Sequence, residues 1–119
     1  MSDPVTVLVV DDDERIRSLA ELVLRRDGYI ALVAATPGDA LALIRAHPEI
    51  RVAVIDVVLP VMTGFDLATE LRALAPHVRI VFMSGFRSDH FRQPVNDPVV
   101  SKPFTVDALL EAIAAALAQ

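Results

Sequence analysis

A chain of 119 residues, 54% of them hydrophobic, can bury a core of its own and makes one domain, with no room for a second. Cysteine is absent, which excludes a disulfide framework, a thiolate metal site and a thiol nucleophile. A net charge of -5 with no Lys/Arg cluster argues against direct contact with nucleic acid, whose phosphates need concentrated positive charge, and is compatible with a cation site.

The N-terminus carries Asp3 and Pro4 and soon an acidic run from Asp11 to Glu14, so it does not read as a signal peptide. The longest apolar runs, Val7 to Val10 and Ala112 to Ala118, fall far short of the ~20 residues that cross a bilayer. The expectation is a soluble, cytoplasmic protein without membrane insertion. Val5 to Val10 is the first of five short Val- and Ile-rich runs, most of them continuously apolar, the mark of strands covered on both faces. Ile16, Leu19, Ala20 and Val23 follow at helical spacing, and Gly28 closes that helix. After a second strand at Ile30 to Ala34, Thr36, Pro37 and Asp39 form an N-cap with a first-turn proline, and Ala40, Leu41 and Ile44 give the helix its apolar face. Val52 to Ile55 is a third strand. Pro60 and Gly64 shape the loop after it and begin a helix with Leu67, Leu71 and Leu74 on one face. Ile80 to Met83 is a fourth strand, but 87–98, with Pro94 and Pro98 and only Phe91 and Val95 as apolar residues, predicts a short or irregular helix. A brief strand at Val99-Val100 and a helix capped by Thr105, with Leu109, Leu110, Ile113 and Leu117 inward, end the chain.

Strict alternation of this kind implies an α/β, doubly wound parallel sheet with helices on both faces. Ligands of such sheets bind outside the carboxyl ends of the strands, so polar residues there carry the chemistry. Asp11, Asp12 and Asp13 follow the first strand, Asp56 the third, Ser84 the fourth and Lys102 the fifth. Helix capping accounts for Asp13 or Glu14 alone. Asp11, Asp12 and Asp56 are different, because carboxylates roughly 4 Å apart repel by about 4 kcal/mol at an effective dielectric near 20, and a divalent cation removes that repulsion. Oxygen-only ligands point to Mg²⁺ or Mn²⁺. Lys102 is placed to reach into the acidic edge and Ser84 to offer a hydroxyl to a ligand, while His47, His77 and His90 show no metal spacing and read as surface residues.

Val9-Val10-Asp11-Asp12-Asp13, Ile55-Asp56-Val57-Val58-Leu59-Pro60 with Gly64, Met83-Ser84-Gly85 and Ser101-Lys102-Pro103-Phe104 occur in the order found in the receiver domains of two-component response regulators. The chain resembles that family over nearly its whole length. The resemblance implies a flavodoxin-like strand order 2-1-3-4-5. With Met1 close to the first strand and only a few residues after the last helix face, the expectation is a receiver domain spanning 1–119 with no separate output domain, a domain of a hybrid kinase being the alternative. The resemblance also implies that Asp56 takes a phosphoryl group from a sensor histidine kinase or a histidine phosphotransfer protein. Asp12, Asp56 and the Val58 carbonyl would ligate Mg²⁺ with Asp11 acting through water, while Ser84 and Lys102 would hold the phosphoryl oxygens. On this reading the protein is a signalling phosphoacceptor and not an enzyme in the ordinary sense. The Lys102-Pro103 bond would be cis, and Val58 and Phe86 would flank the approach of hydrolytic water. The downstream target and a homodimer stay open.

Two departures stand out. Val99 occupies a position, three before the lysine, where the family usually has an aromatic residue, and the interval from Ser84 to Lys102, 102 - 84 = 18 positions, is shorter than usual by roughly one helical turn. A haloacid-dehalogenase-like phosphatase would explain Asp11 and Asp13 but not Arg15, Asp56 or the Lys-Pro pair. A flavodoxin-like cofactor binder would not place three aspartates where phosphate must sit. A degenerate receiver acting only as an interaction module would lack a key residue, and none is missing.

Overall fold

The computed structural model describes residues 3–85 and 96–119. Five strands, β1 (Thr6–Val10), β2 (Ile30–Ala34), β3 (Ile50–Asp56), β4 (Arg79–Ser84) and β5 (Val99–Ser101), form one parallel sheet in the order β2-β1-β3-β4-β5. The described helices are α1 (Glu14–Arg26), α2 (Pro37–Ala46), α3 (Gly64–Leu74) and α4 (Val106–Leu117). The predicted order, the parallel sheet and the helices on both faces are all present. The short or irregular helix expected within 87–98 falls largely at 86–95, outside the described residues.

Continuous apolar strands make sense in this sheet because each face has its own core. Leu8 and Val10 of β1, Ala53 and Ile55 of β3 and Ile80 and Phe82 of β4 face α2 and α3, meeting Ala40, Ile44, Leu67 and Leu71. The alternate residues Val7, Val9, Val52, Val54, Val81 and Met83 face α1 and α4, meeting Ala20, Leu24, Leu109 and Ile113. Side chains of successive strand residues point to opposite faces, so a strand covered on both sides must be apolar throughout. Phe65 and Phe82 stack at a tilt with ring centroids 4.9 Å apart, adding about 1 kcal/mol to what their burial contributes.

The helix boundaries follow from capping chemistry. Asp13 accepts from the Arg15 N–H, Thr36 from Asp39, Thr63 from Asp66 and Thr105 from Ala108, so each described helix has a side chain serving its otherwise unpaired first-turn donors. Gly28, at φ 90°, ends α1: its N–H donates to the Arg25 carbonyl and that of Tyr29 to Leu24, a Schellman closure that needs the left-handed conformation glycine adopts freely. Among the described residues no helix is long and apolar enough to cross a membrane.

Candidate functional site

Strand order places the carboxyl ends of β1, β3, β4 and β5 along one edge, with β1 and β3 adjacent at its centre. Asp11 directly follows β1, Asp56 is the last residue of β3, Ser84 the last of β4, and Lys102 directly follows β5. The β3–β4 register sets Asp56 opposite Met83, and β4–β5 sets Ser84 opposite Ser101, so the four strand ends meet at a common level. Gly64 packs against the end of β3: a Cβ there would lie 2.2 Å from the Asp56 carbonyl oxygen, so only glycine lets α3 start this near the strand. Its N–H donates to the Val57 carbonyl at 2.8 Å.

Carboxylate oxygens of Asp11, Asp12 and Asp56 all lie within 4.8 Å of one another. Asp11 and Asp56 are buried and Asp12 is exposed, so the cluster opens to solvent on the Asp12 side. The Lys102 ammonium reaches both buried carboxylates, donating to Asp11 Oδ2 and Asp56 Oδ2 at 3.0 Å each. Burial opposes the charge on Lys102, but its hydrogen bonds and attraction to Asp56 and Asp11 together outweigh this and hold its pKa above the ordinary lysine value. Burial pushes the Asp11 pKa up, with Asp56 adding to the rise, against hydrogen bonds from the Asp13 N–H and Lys102. Asp11 Oδ1 accepts the Asp13 N–H at 2.8 Å, and Asp56 Oδ1 accepts the Val58 N–H at 3.2 Å.

Three ionised carboxylates against one ammonium leave two negative charges, the charge one divalent cation cancels. The donor set is oxygen only and open on one side, which suits a hard cation that keeps part of its water, as Mg²⁺ does. Ser84 is buried at the same edge, and its carbonyl accepts the Lys102 N–H at 2.7 Å. Val58 lies more than half exposed beside Asp56. Phe86, the other residue expected to flank the approach of water, lies outside the described residues. The Lys102-Pro103 bond is cis, as the resemblance implies.

Two of the scattered histidines make contacts away from the cluster: His47 Nδ1 meets Glu49 Oε2 at 3.0 Å and His77 Nε2 meets the Pro48 carbonyl at 3.0 Å, while His90 lies outside the described residues. One contact at the site has no signal in the sequence. The Arg17 guanidinium, on α1, turns back to donate to the Asp11 carbonyl at 2.9 Å. Nothing in residue type or spacing separates Arg17 from Arg15, which pairs with Asp13, or Arg25, which pairs with Glu21.

Residues 7–114 match the family described as the response regulator receiver domain. The chain belongs to this family. Receiver domains are the signalling phosphoacceptors of two-component systems and bind Mg²⁺ at an acidic Asp cluster, which sets aside the dehalogenase-like reading of Asp11 and Asp13. The receiver domain is 34% identical over 107 residues to the autoinducer 1 sensor kinase/phosphatase LuxN of Vibrio campbellii, matching 87% of this chain and 12% of that protein. It is 32% identical over 114 residues to the sensor kinase CckA of Brucella abortus, matching 92% of this chain and 12% of the kinase. The chain thus spans about an eighth of either relative. A CheY-like receiver domain protein from Methanospirillum hungatei superposes with a TM-score of 0.85 at 30% identity, covering 95% of this chain and 93% of that one.

Proposed function

We propose that this receiver domain accepts a phosphoryl group onto Asp56 from the phosphohistidine of a sensor histidine kinase or histidine phosphotransfer protein, in the cytoplasm, with Mg²⁺ bound. Mn²⁺ satisfies the same oxygen donors. The observation that carries this reading is the Lys102 ammonium held 3.0 Å from both Asp11 and Asp56 beside an exposed third carboxylate. An Asp56 carboxylate oxygen attacks phosphorus, the bond from phosphorus to the imidazole nitrogen breaks, and the imidazole leaves with the electron pair. Phosphoryl transfer asks little more of a protein than alignment and neutralisation of charge, and an ionised carboxylate needs no general base.

A bound Mg²⁺ neutralises phosphoryl oxygens, and Asp12, Asp56 and the Val58 carbonyl are the residues proposed to hold it, with Asp11 acting through water. Lys102 exchanges its contact with Asp56 Oδ2 for one with a phosphoryl oxygen. Ser84 donates its hydroxyl to another. The LuxN and CckA relatives are sensor kinases by name, which supports a kinase-linked partner. An apolar groove between α1 and α4, lined by Leu19, Leu22, Val106 and Leu110, favours a protein donor, and the net charge of -5 disfavours nucleic acid.

Incubation with acetyl phosphate and Mg²⁺ tests the reading, since intact-mass spectra resolve one added phosphoryl group. Wild type is expected to take it up, and Asp56→Asn is not. Uptake by Asp56→Asn at the wild-type rate would move the acceptor elsewhere, and no uptake by wild type would favour an interaction module that is not phosphorylated.

A further inference from the structure

We propose that Arg17 is a positioning residue of the cation site: by holding the Asp11 carbonyl it fixes the Asp11–Asp12 peptide, and through it the direction of the Asp12 carboxylate. This rests on the reading of the acidic cluster as a Mg²⁺ site. Asp11 is tied down on every side. Its N–H donates to the Ala34 carbonyl at 3.1 Å, its carboxylate takes the Asp13 N–H and the Lys102 ammonium, and its carbonyl takes Arg17 Nη1 at 2.9 Å. Asp12 has none of this. Its side chain is exposed, and among the described residues no donor contacts its carboxylate. What orients Asp12 is its two flanking peptides: the Asp13 N–H is held within the loop by Asp11 Oδ1, and the group bonded to the Asp11–Asp12 peptide from outside the loop is the Arg17 guanidinium. A charge-assisted hydrogen bond of this length is roughly twice as strong as a neutral one, and Arg17 is anchored because its own N–H makes the first helical bond, to the Asp13 carbonyl at 3.1 Å. Among the described residues Arg17 makes no ion pair, whereas Arg15 and Arg25 each pair with a carboxylate.

Two other roles predict different results. If Arg17 acted only through its charge, a neutral replacement would remove a repulsion and tighten Mg²⁺ binding. A role confined to α1 stability would lower the unfolding temperature and leave the affinity of the folded protein unchanged. Positioning predicts weaker binding despite the lost repulsion.

The test is a Mg²⁺ titration of wild type, Arg17→Met, Arg17→Lys and the control Arg25→Met, followed by the backbone amide signals of Asp12 and Asp13 and by calorimetry. Arg17→Met should lose roughly tenfold in affinity, the low end for removing a partner that orients a ligand. Arg17→Lys should recover most of it, Arg25→Met should match wild type, and the Asp12 amide of Arg17→Met should be displaced before any metal is added. Arg17→Leu removes both the charge and the donor and is read in the same way should the Met variant fold poorly. Affinity of the neutral variants equal to or tighter than wild type overturns the proposal alone. Wild type that binds no Mg²⁺ overturns the reading of the cluster, and the proposal with it.

Discussion

Lys102 shows how a single residue can serve the fold and the chemistry together. Its side chain is 19% exposed, and it stands between a fully buried Asp11 and a nearly buried Asp56. Lys102→Met would leave those carboxylates facing each other without a counter-charge, and breaking a buried pair in this way costs about 3 kcal/mol. Urea unfolding at pH 7 without metal should show a loss of that size, and Mg²⁺ should restore much of it by neutralising the same oxygens. The deficit should also depend on pH. Asp11 has a folded pKa above 3.8, so the folded state binds that proton more tightly than the unfolded chain does, and stability from this group rises as pH falls through the folded value toward 3.8. Without Lys102 the rise is larger, so the gap between variant and wild type should narrow from pH 7 to about 4. Asp11, Asp12, Asp56 and Lys102 were legible in the sequence because they sit at strand ends. Arg17 was not, because its partner is a backbone carbonyl six residues earlier and only the turn into α1 brings the two together.

At the scale of elements, the connection from β3 to α3 combines a tight contact with a strained turn. The Met62 N–H donates to the Pro60 carbonyl at 2.9 Å, a γ-turn, and its central residue Val61 has φ 77°. A β-branched residue in such a conformation is strained by about 1–3 kcal/mol, and Val61, 97% exposed, recovers nothing from burial. Val61→Gly should therefore raise stability by about 1 kcal/mol, after subtracting the extra freedom glycine loses on folding. Thermal unfolding checks it, and a loss of stability would mean the turn is not strained. Gly64→Ala at the other end of the loop has the opposite expectation. Its methyl would meet the Asp56 and Val57 backbone, which has nowhere to move, so the variant should lose about 3 kcal/mol and take up phosphoryl groups from acetyl phosphate more slowly than wild type. The demand for glycine at position 64 could be read from the chain as a loop signal, whereas the close approach behind it could not. Val61 carried no warning, since valine is the residue least expected at positive φ.

For the molecule as a whole, folding assembles three carboxylates whose mutual repulsion opposes it, so a cation should stabilise the native state by mass action. At a hundredfold excess over its Kd, Mg²⁺ should add about 2.7 kcal/mol, raising the midpoint of thermal unfolding by roughly 10 °C, and EDTA should reverse this. A midpoint indifferent to Mg²⁺ would show that the ion does not bind the folded state selectively. The class of fold was legible in the chain, because unbroken apolar strands need cover on both faces, and so were the caps at Asp13, Thr36 and Thr105, which carry their own hydrogen-bonding side chains; the Thr63 cap of α3 was not. The sequence also placed the polar residues at strand ends, since strand length and alternation are local properties. What those ends do to one another depends on how distant strands pair. Only the order β2-β1-β3-β4-β5 sets β1 beside β3, and only the register brings Lys102 to two carboxylates 91 and 46 residues away along the chain. Charge, burial and hydrogen-bond geometry at that edge are sums over distant segments, and no local pattern encodes such a sum.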